Sequence, residues 1–123
     1  MALWQKILLL AVLGIAGTLL RYWMQNYVNA LTGSPFPWGT VVVNTVGCFL
    51  FGVVFQMMEL RQEWRAIVLT GFMGAFTTFS TYAFETVNFL QAGRWVYACG
   101  NFLVQNALGL IAIALGMAVG RLF

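Results

Sequence analysis

The chain has 123 residues, of which 62% are hydrophobic, only nine are charged and none is histidine, with a formal net charge of +3. Ordinary water-soluble domains carry roughly 25% charged residues, against 7% here, and so short a chain has too little interior to hide this much apolar surface. With a mean hydropathy of +0.87, the composition calls for lipid as solvent, and a few arginines near helix ends give no ground for a nucleic-acid partner.

Charge-free stretches divide the chain into four spans. The first, Ile7 to Leu20, has only 14 residues and reaches membrane length only by continuing through Arg21 to about Val28. Lys6 ahead of an apolar run has the outline of a secretion signal. Arg21-Tyr22-Trp23 offers no small-residue cleavage site, however, and three spans follow, so this segment is expected to remain a helix. Gly33, Ser34, Pro35 and Pro37 form a turn cluster between Asn29 and Pro37 that ends one helix and launches the next.

Trp38 to Met58 is charge-free for 21 residues, Ala66 to Phe84 for 19 and Trp95 to Gly120 for 26. Each meets the ~18 residues that argue a spanning helix. Trp38, Trp64 and Trp95 mark span ends, where indole rings favour the headgroup region. The polar link Glu59 to Arg65 must be wet, and no linker or low-complexity stretch divides residues 1–123, so one domain is expected.

With four helices, both termini and the Glu59–Arg65 loop share one side. That side carries Lys6, Arg61, Arg65 and Arg121, against Arg94 and Arg21 on the other. The bias toward cytoplasmic termini is small, and insertion in both orientations is physically reasonable. Cys48 and Cys99 fall inside spans and read as small packing residues rather than a disulfide framework. Gly14 with Gly17, Gly47 with Gly52, Gly71 with Gly74 and Gly116 with Gly120 have the spacing that lets helix backbones approach.

The third span departs from a passive bundle. Thr77, Thr78, Ser80, Thr81 and Tyr82 place five hydroxyls in six positions, just after Gly71 and Gly74. Ser and Thr compete with the helical backbone for hydrogen bonds and glycine weakens it further, so a helix break is expected here; back-bonding hydroxyls at a polar helix contact are the plainer reading. A break in lipid is tolerated only beside protein or a wet cavity, and it bares carbonyls and N–H groups that bind cations and anions.

In the second span Asn44, Gly47 and Phe51 share one helix face, combining a donor, a gap and a ring; Asn44 either glues helices or faces water. Arg21 and Glu85 are the two charges in or near apolar runs, free to snorkel to an interface. Glu85 lies one turn beyond Tyr82, placed to hold a positive or hydroxyl partner. Asn101 and Gln105 make a polar stripe with Asn106, which argues for a hydrated path or a buried subunit contact.

Catalysis finds no residues: there is no histidine, no base beside either cysteine and no pair of carboxylates within the membrane, so an enzyme is not expected. Transition-metal ligand spacing is missing too. Amides, hydroxyls, backbone N–H groups and ring edges remain, and donors without a resident negative charge suit a small anion.

At Gly71-Phe-Met-Gly74-Ala-Phe-Thr77-Thr78-Phe79-Ser80-Thr81-Tyr82 the chain closely resembles the Fluc (CrcB) family of fluoride channels, whose third helix reads Gly-x-x-Gly-x-x-Thr-Thr-Phe-Ser-Thr-Phe. The resemblance extends to Gly39-Thr40-Val-Val-Val-Asn44-Thr-Val-Gly47 and to Gly14-Ile-Ala-Gly17-Thr-Leu-Leu-Arg21-Tyr22, and covers the fourth helix by length and register. It implies an all-α membrane protein of four transmembrane helices with a break in the third. The implied assembly is an antiparallel, dual-topology homodimer in the cell (inner) membrane, with two fluoride pores and a structural Na⁺ at the two-fold axis.

Carried over by motif, Asn44 is the pore amide donor and Phe79 the first of two phenylalanines whose ring edges face fluoride. Gly74 and Thr77 hold the sodium through backbone carbonyls, Ser80 and Thr81 fall on a hydroxyl track, and Arg21 matches an arginine near the vestibule. Tyr82 departs from the pattern, standing where the second phenylalanine belongs; its hydroxyl could bind fluoride, block the path or point away. The implied role is passive export of fluoride, and thereby resistance to it. A small proton-coupled multidrug antiporter, also a four-helix dual-topology dimer, is the alternative; that class needs a first-helix glutamate, where this chain offers only Arg21.

Overall fold

The computed structural model describes every residue from Met1 to Phe123, and all its regular structure is helical. In chain order the helices are α1 (Leu3–Thr32), α2 (Trp38–Met57), α3 (Gln62–Val68), α4 (Gly74–Phe76), α5 (Phe79–Gln91) and α6 (Trp95–Gly120). A π-helical turn at Leu69–Met73 joins α3 to α4. Segments α3 to α5 form one span, Gln62–Gln91, so four helices are long and apolar enough to cross a membrane.

The 20 residues of α2 cover about 30 Å, the thickness of bilayer hydrocarbon. Helix α1 runs 30 residues without interruption at Arg21, the continuation that its short charge-free stretch requires. It stops at Gly33, which takes φ +55° and returns its N–H to the Asn29 carbonyl at 3.0 Å. The Asn29 side chain then accepts the Gly39 N–H at 2.8 Å, satisfying one of the orphan donors in the first turn of α2.

Helices in lipid gain little from hydrophobicity when they associate, so close backbone contact carries the packing. On α2 and α6 the glycines supply it: a Cβ at Gly52 would strike the Ile113 carbonyl, and one at Gly116 the Phe49 carbonyl. Helix α1 meets the third span similarly, since a Cβ at Gly17 would lie 2.5 Å from the Phe72 carbonyl oxygen. A salt bridge of 2.7 Å between Lys6 and Glu63 ties the start of α1 to α3, but both side chains are exposed and the pair adds little.

Only 20 of the 123 residues are buried, which leaves the apolar faces of the helices turned outward, as lipid permits. The fully buried side chains are Phe76, Val43, Asn101 and Thr40. Two of these four are polar, and both are hydrogen-bonded.

Candidate functional site

The polar residues converge where the third span leaves helical geometry. Thr77 (φ −85°, ψ 157°) and Thr78 (φ −146°, ψ 108°) are both extended between α4 and α5. Their hydroxyls account for much of this. Thr77 donates to the Met73 carbonyl at 2.9 Å, while Thr78 caps α5 by accepting the Thr81 N–H at 3.3 Å and donates to the Thr81 hydroxyl at 2.9 Å. Ser80 sits exposed beside them, its oxygen 3.5 Å from that of Thr78.

Asn44 crosses from α2 and pairs with the extended backbone at two points. Its Oδ1 accepts the Thr78 N–H at 2.8 Å, and its Nδ2 donates to the Thr78 carbonyl at 3.1 Å. The side-chain amide thus serves Thr78 as a neighbouring β-strand would, supplying bonds that helical geometry would otherwise have provided. Gly47, one turn along α2, makes room, because a Cβ there would collide with Cγ2 of Thr77.

From Asn44 a hydrogen-bonded chain runs across three helices with every donor pointing the same way. Asn44 Nδ2 donates to Gln105 Oε1 (3.1 Å), Gln105 Nε2 to Asn101 Oδ1 (3.2 Å), Asn101 Nδ2 to the Thr86 hydroxyl (2.9 Å), and that hydroxyl to the Tyr82 carbonyl (2.8 Å). Both ends set its polarity: Thr78 orients the amide of Asn44, and a backbone carbonyl can only accept. Asn101 (0% exposed) and Gln105 (8%) thus find hydrogen-bond partners within the single chain.

A recess of about 290 Å³ opens beside this network. Asn44, Gly47 and Phe51 line it from α2, Phe79 and Tyr82 from α5, and Gln105 and Asn106 from α6. No acidic side chain reaches it. Phe79 is 78% exposed and packs edge-on against Tyr82, with ring centroids 5.5 Å apart. Tyr82 is buried, and its oxygen accepts from Asn106 Nδ2 at 3.1 Å, which leaves the phenolic proton uncommitted. The hydroxyl that marks the departure from phenylalanine is thus held at the recess and keeps a donor to offer.

Thr77 also borders the recess, whereas Arg21 and Gly74 lie beside the extended step outside it. Arg21 donates from Nε to the Ala75 carbonyl at 2.9 Å, which ties this arginine to the third span. Gly74 and Thr77 share a different property. In a continuous helix their carbonyls would accept from Thr78 N–H and Thr81 N–H, but those amides bond to Asn44 and to the Thr78 hydroxyl instead.

Glu85 lies further along α5 and accepts from the Thr40 hydroxyl at 2.7 Å, while Thr40 accepts from Gln25 Nε2 at 2.9 Å; the second Glu85 oxygen has no partner. Gln25 and Thr40 carry no functional expectation from sequence. The available signal was an amide and a hydroxyl inside segments that must be membrane helices.

Residues 8–117 match the family model described as CrcB-like protein, Camphor Resistance (CrcB). The chain is 48% identical to a protein of Nitrosococcus oceani named fluoride-specific ion channel FluC, over 98% of this chain and 99% of the relative. A protein of the same name from Solidesulfovibrio magneticus is 49% identical over 96% and 98% of the two chains, and one from Desulforapulum autotrophicum 43% over 95% and 97%. These relatives are named channels, and the antiporter alternative finds no support among them. Four spanning helices, the glycine and hydroxyl motifs and near-complete coverage agree: the chain belongs to the CrcB-like family of membrane proteins.

Proposed function

We propose that this chain is the subunit of a fluoride-selective channel that lets the anion leave the cytoplasm passively through the cell membrane. The observation that carries the proposal is the near full-length identity to relatives named for that activity, and the site chemistry supports it. Fluoride is small and strongly hydrated, so a pore must replace its water with close donors yet release it. The recess is lined by the Asn44 amide, the Tyr82 hydroxyl and the rings of Phe79 and Tyr82, with no carboxylate to repel an anion.

The finer features follow as parts of the same reading. The extended step at Thr77 and Thr78 is the break in the third span, tolerated because Asn44 and the hydroxyls pair its backbone. Ser80 and Thr81 form a hydroxyl track on α5, and Arg21 adds positive charge beside the step. Gly74 and Ser80 lie exposed with Phe79 near the middle of an apolar span, a face that a second, antiparallel copy would cover. Two such copies make a dual-topology homodimer with two pores.

The carbonyls of Gly74 and Thr77, relieved of their helical amides, fit a hard cation that takes oxygen ligands. These two residues would hold a structural Na⁺, which supplies fixed positive charge close to the anion path. Efflux of fluoride from proteoliposomes, followed with an ion-selective electrode, tests the activity. Rapid fluoride release with chloride retained is the outcome expected, and release no faster than from empty vesicles would refute it.

A further inference from the structure

The Asn44 side chain is not a vacant donor. One N–H is committed to the Thr78 carbonyl and the other to Gln105 Oε1, at 3.1 Å each. The two commitments differ in kind. The bond to Thr78 belongs to a two-point pairing that also engages Oδ1, whereas the bond to Gln105 is single and ends on a flexible side chain that borders the recess. Gln105 is buried and anchored at its other end through Nε2 on Asn101 Oδ1. The terminal torsion of a glutamine is soft, so a turn of the amide withdraws the carbonyl from Asn44.

We propose that the Gln105 side-chain carbonyl is an internal stand-in for the transported anion. It holds the recess-facing N–H of Asn44 until fluoride displaces it, and recaptures that N–H when fluoride leaves. The inference rests on the fluoride-channel reading. Its physical content is competition: a carbonyl oxygen and a fluoride ion cannot accept the same short, nearly linear hydrogen bond, and each repels the other through its negative end. A donor occupied by an internal acceptor binds its ligand less tightly by the fraction of time it is free. An ordinary buried hydrogen bond makes that fraction about one fifth. The stand-in also keeps a polar N–H satisfied when no ion is present, which spares an empty path the cost of an orphaned donor.

Removing the stand-in should therefore tighten fluoride binding, an outcome opposite to that of a merely structural role. Gln105→Met keeps the length and volume of the side chain and deletes the acceptor. In proteoliposome efflux, its half-saturating fluoride concentration should fall by about fivefold relative to wild type. An unchanged or raised value overturns the proposal while leaving the channel reading intact. A wild-type protein that passes no fluoride overturns both.

A second measurement needs no variant. In ¹⁵N-labelled wild-type protein titrated with sodium fluoride, the side-chain amide resonances of Asn44 and Gln105 should move together with one midpoint, and sodium chloride should move neither. A shift at Asn44 with Gln105 unmoved overturns the proposal.

Discussion

Replacing Asn44 by alanine tests the role of its amide in holding the extended step. The substitution deletes three hydrogen bonds and leaves the Thr78 N–H, the Thr78 carbonyl and Gln105 Oε1 without that partner, in residues that are themselves buried. Side-chain hydrogen bonds within membranes average about 0.6 kcal/mol, because the inserted but unfolded chain also finds partners, so three bonds amount to about 2 kcal/mol. A buried orphan costs about 1–3 kcal/mol where no substitute partner exists, so one such group raises the expected loss to about 3–5 kcal/mol. Unfolding by SDS titration in mixed micelles measures the loss directly, and fluoride efflux should disappear with it. An unfolding midpoint equal to that of wild type would refute the pairing between Asn44 and Thr78.

Phe79 offers a cleaner test of the path, because its ring is largely exposed in the single chain and packs chiefly on Tyr82. Phe79→Ile should lower fluoride efflux at least tenfold while the protein keeps its elution volume on size exclusion; undiminished efflux would remove Phe79 from the path. Gly47→Ala drives a Cβ into Thr77, which is already tied to Met73, and to 3.1 Å from the Phe76 ring. Overpacking of this kind costs about 1–3 kcal/mol, readable in the same SDS titration. Gly109→Ala, whose Cβ would meet Cys48 at an ordinary 3.6 Å, should unfold at the wild-type midpoint, and equal midpoints for all three proteins would contradict the packing assignment. Protein purified throughout in potassium instead of sodium should elute at a smaller apparent mass on size exclusion, and elution unchanged from the sodium preparation would count against a structural Na⁺ at Gly74 and Thr77.

The spans were legible in the sequence because charge is excluded from lipid so strongly. Helix α6 coincides with the charge-free stretch Trp95–Gly120, and α2 with Trp38–Met58 to within one residue. The helix faces were legible too: Asn44, Gly47 and Phe51 share the recess as their spacing required. Partners were not. Asn44 meets Thr78 and Gln105, residues 34 and 61 positions away, and an amide's spacing says which way it faces but not what it finds there.

The i, i+4 spacing placed Asn101 and Gln105 on one face correctly, yet nothing local revealed that Thr86 and Asn44 would satisfy them inside the chain. The π-helical turn at Leu69–Met73 was equally invisible. Gly71 within it sits against Leu13 of α1, a tertiary contact rather than a sequence pattern. The relay from Gln25 through the Thr40 hydroxyl to Glu85 escaped notice for the same reason, since it joins three helices.

Selective passage of fluoride fixes the reversal potential of the current across a planar bilayer. With fluoride and chloride on opposite sides, the current should reverse near the fluoride equilibrium potential. Reversal should then shift by about 59 mV for each tenfold change in the fluoride gradient and stay fixed when a pH gradient is imposed. A reversal potential that follows chloride equally, or that moves with pH, would contradict it.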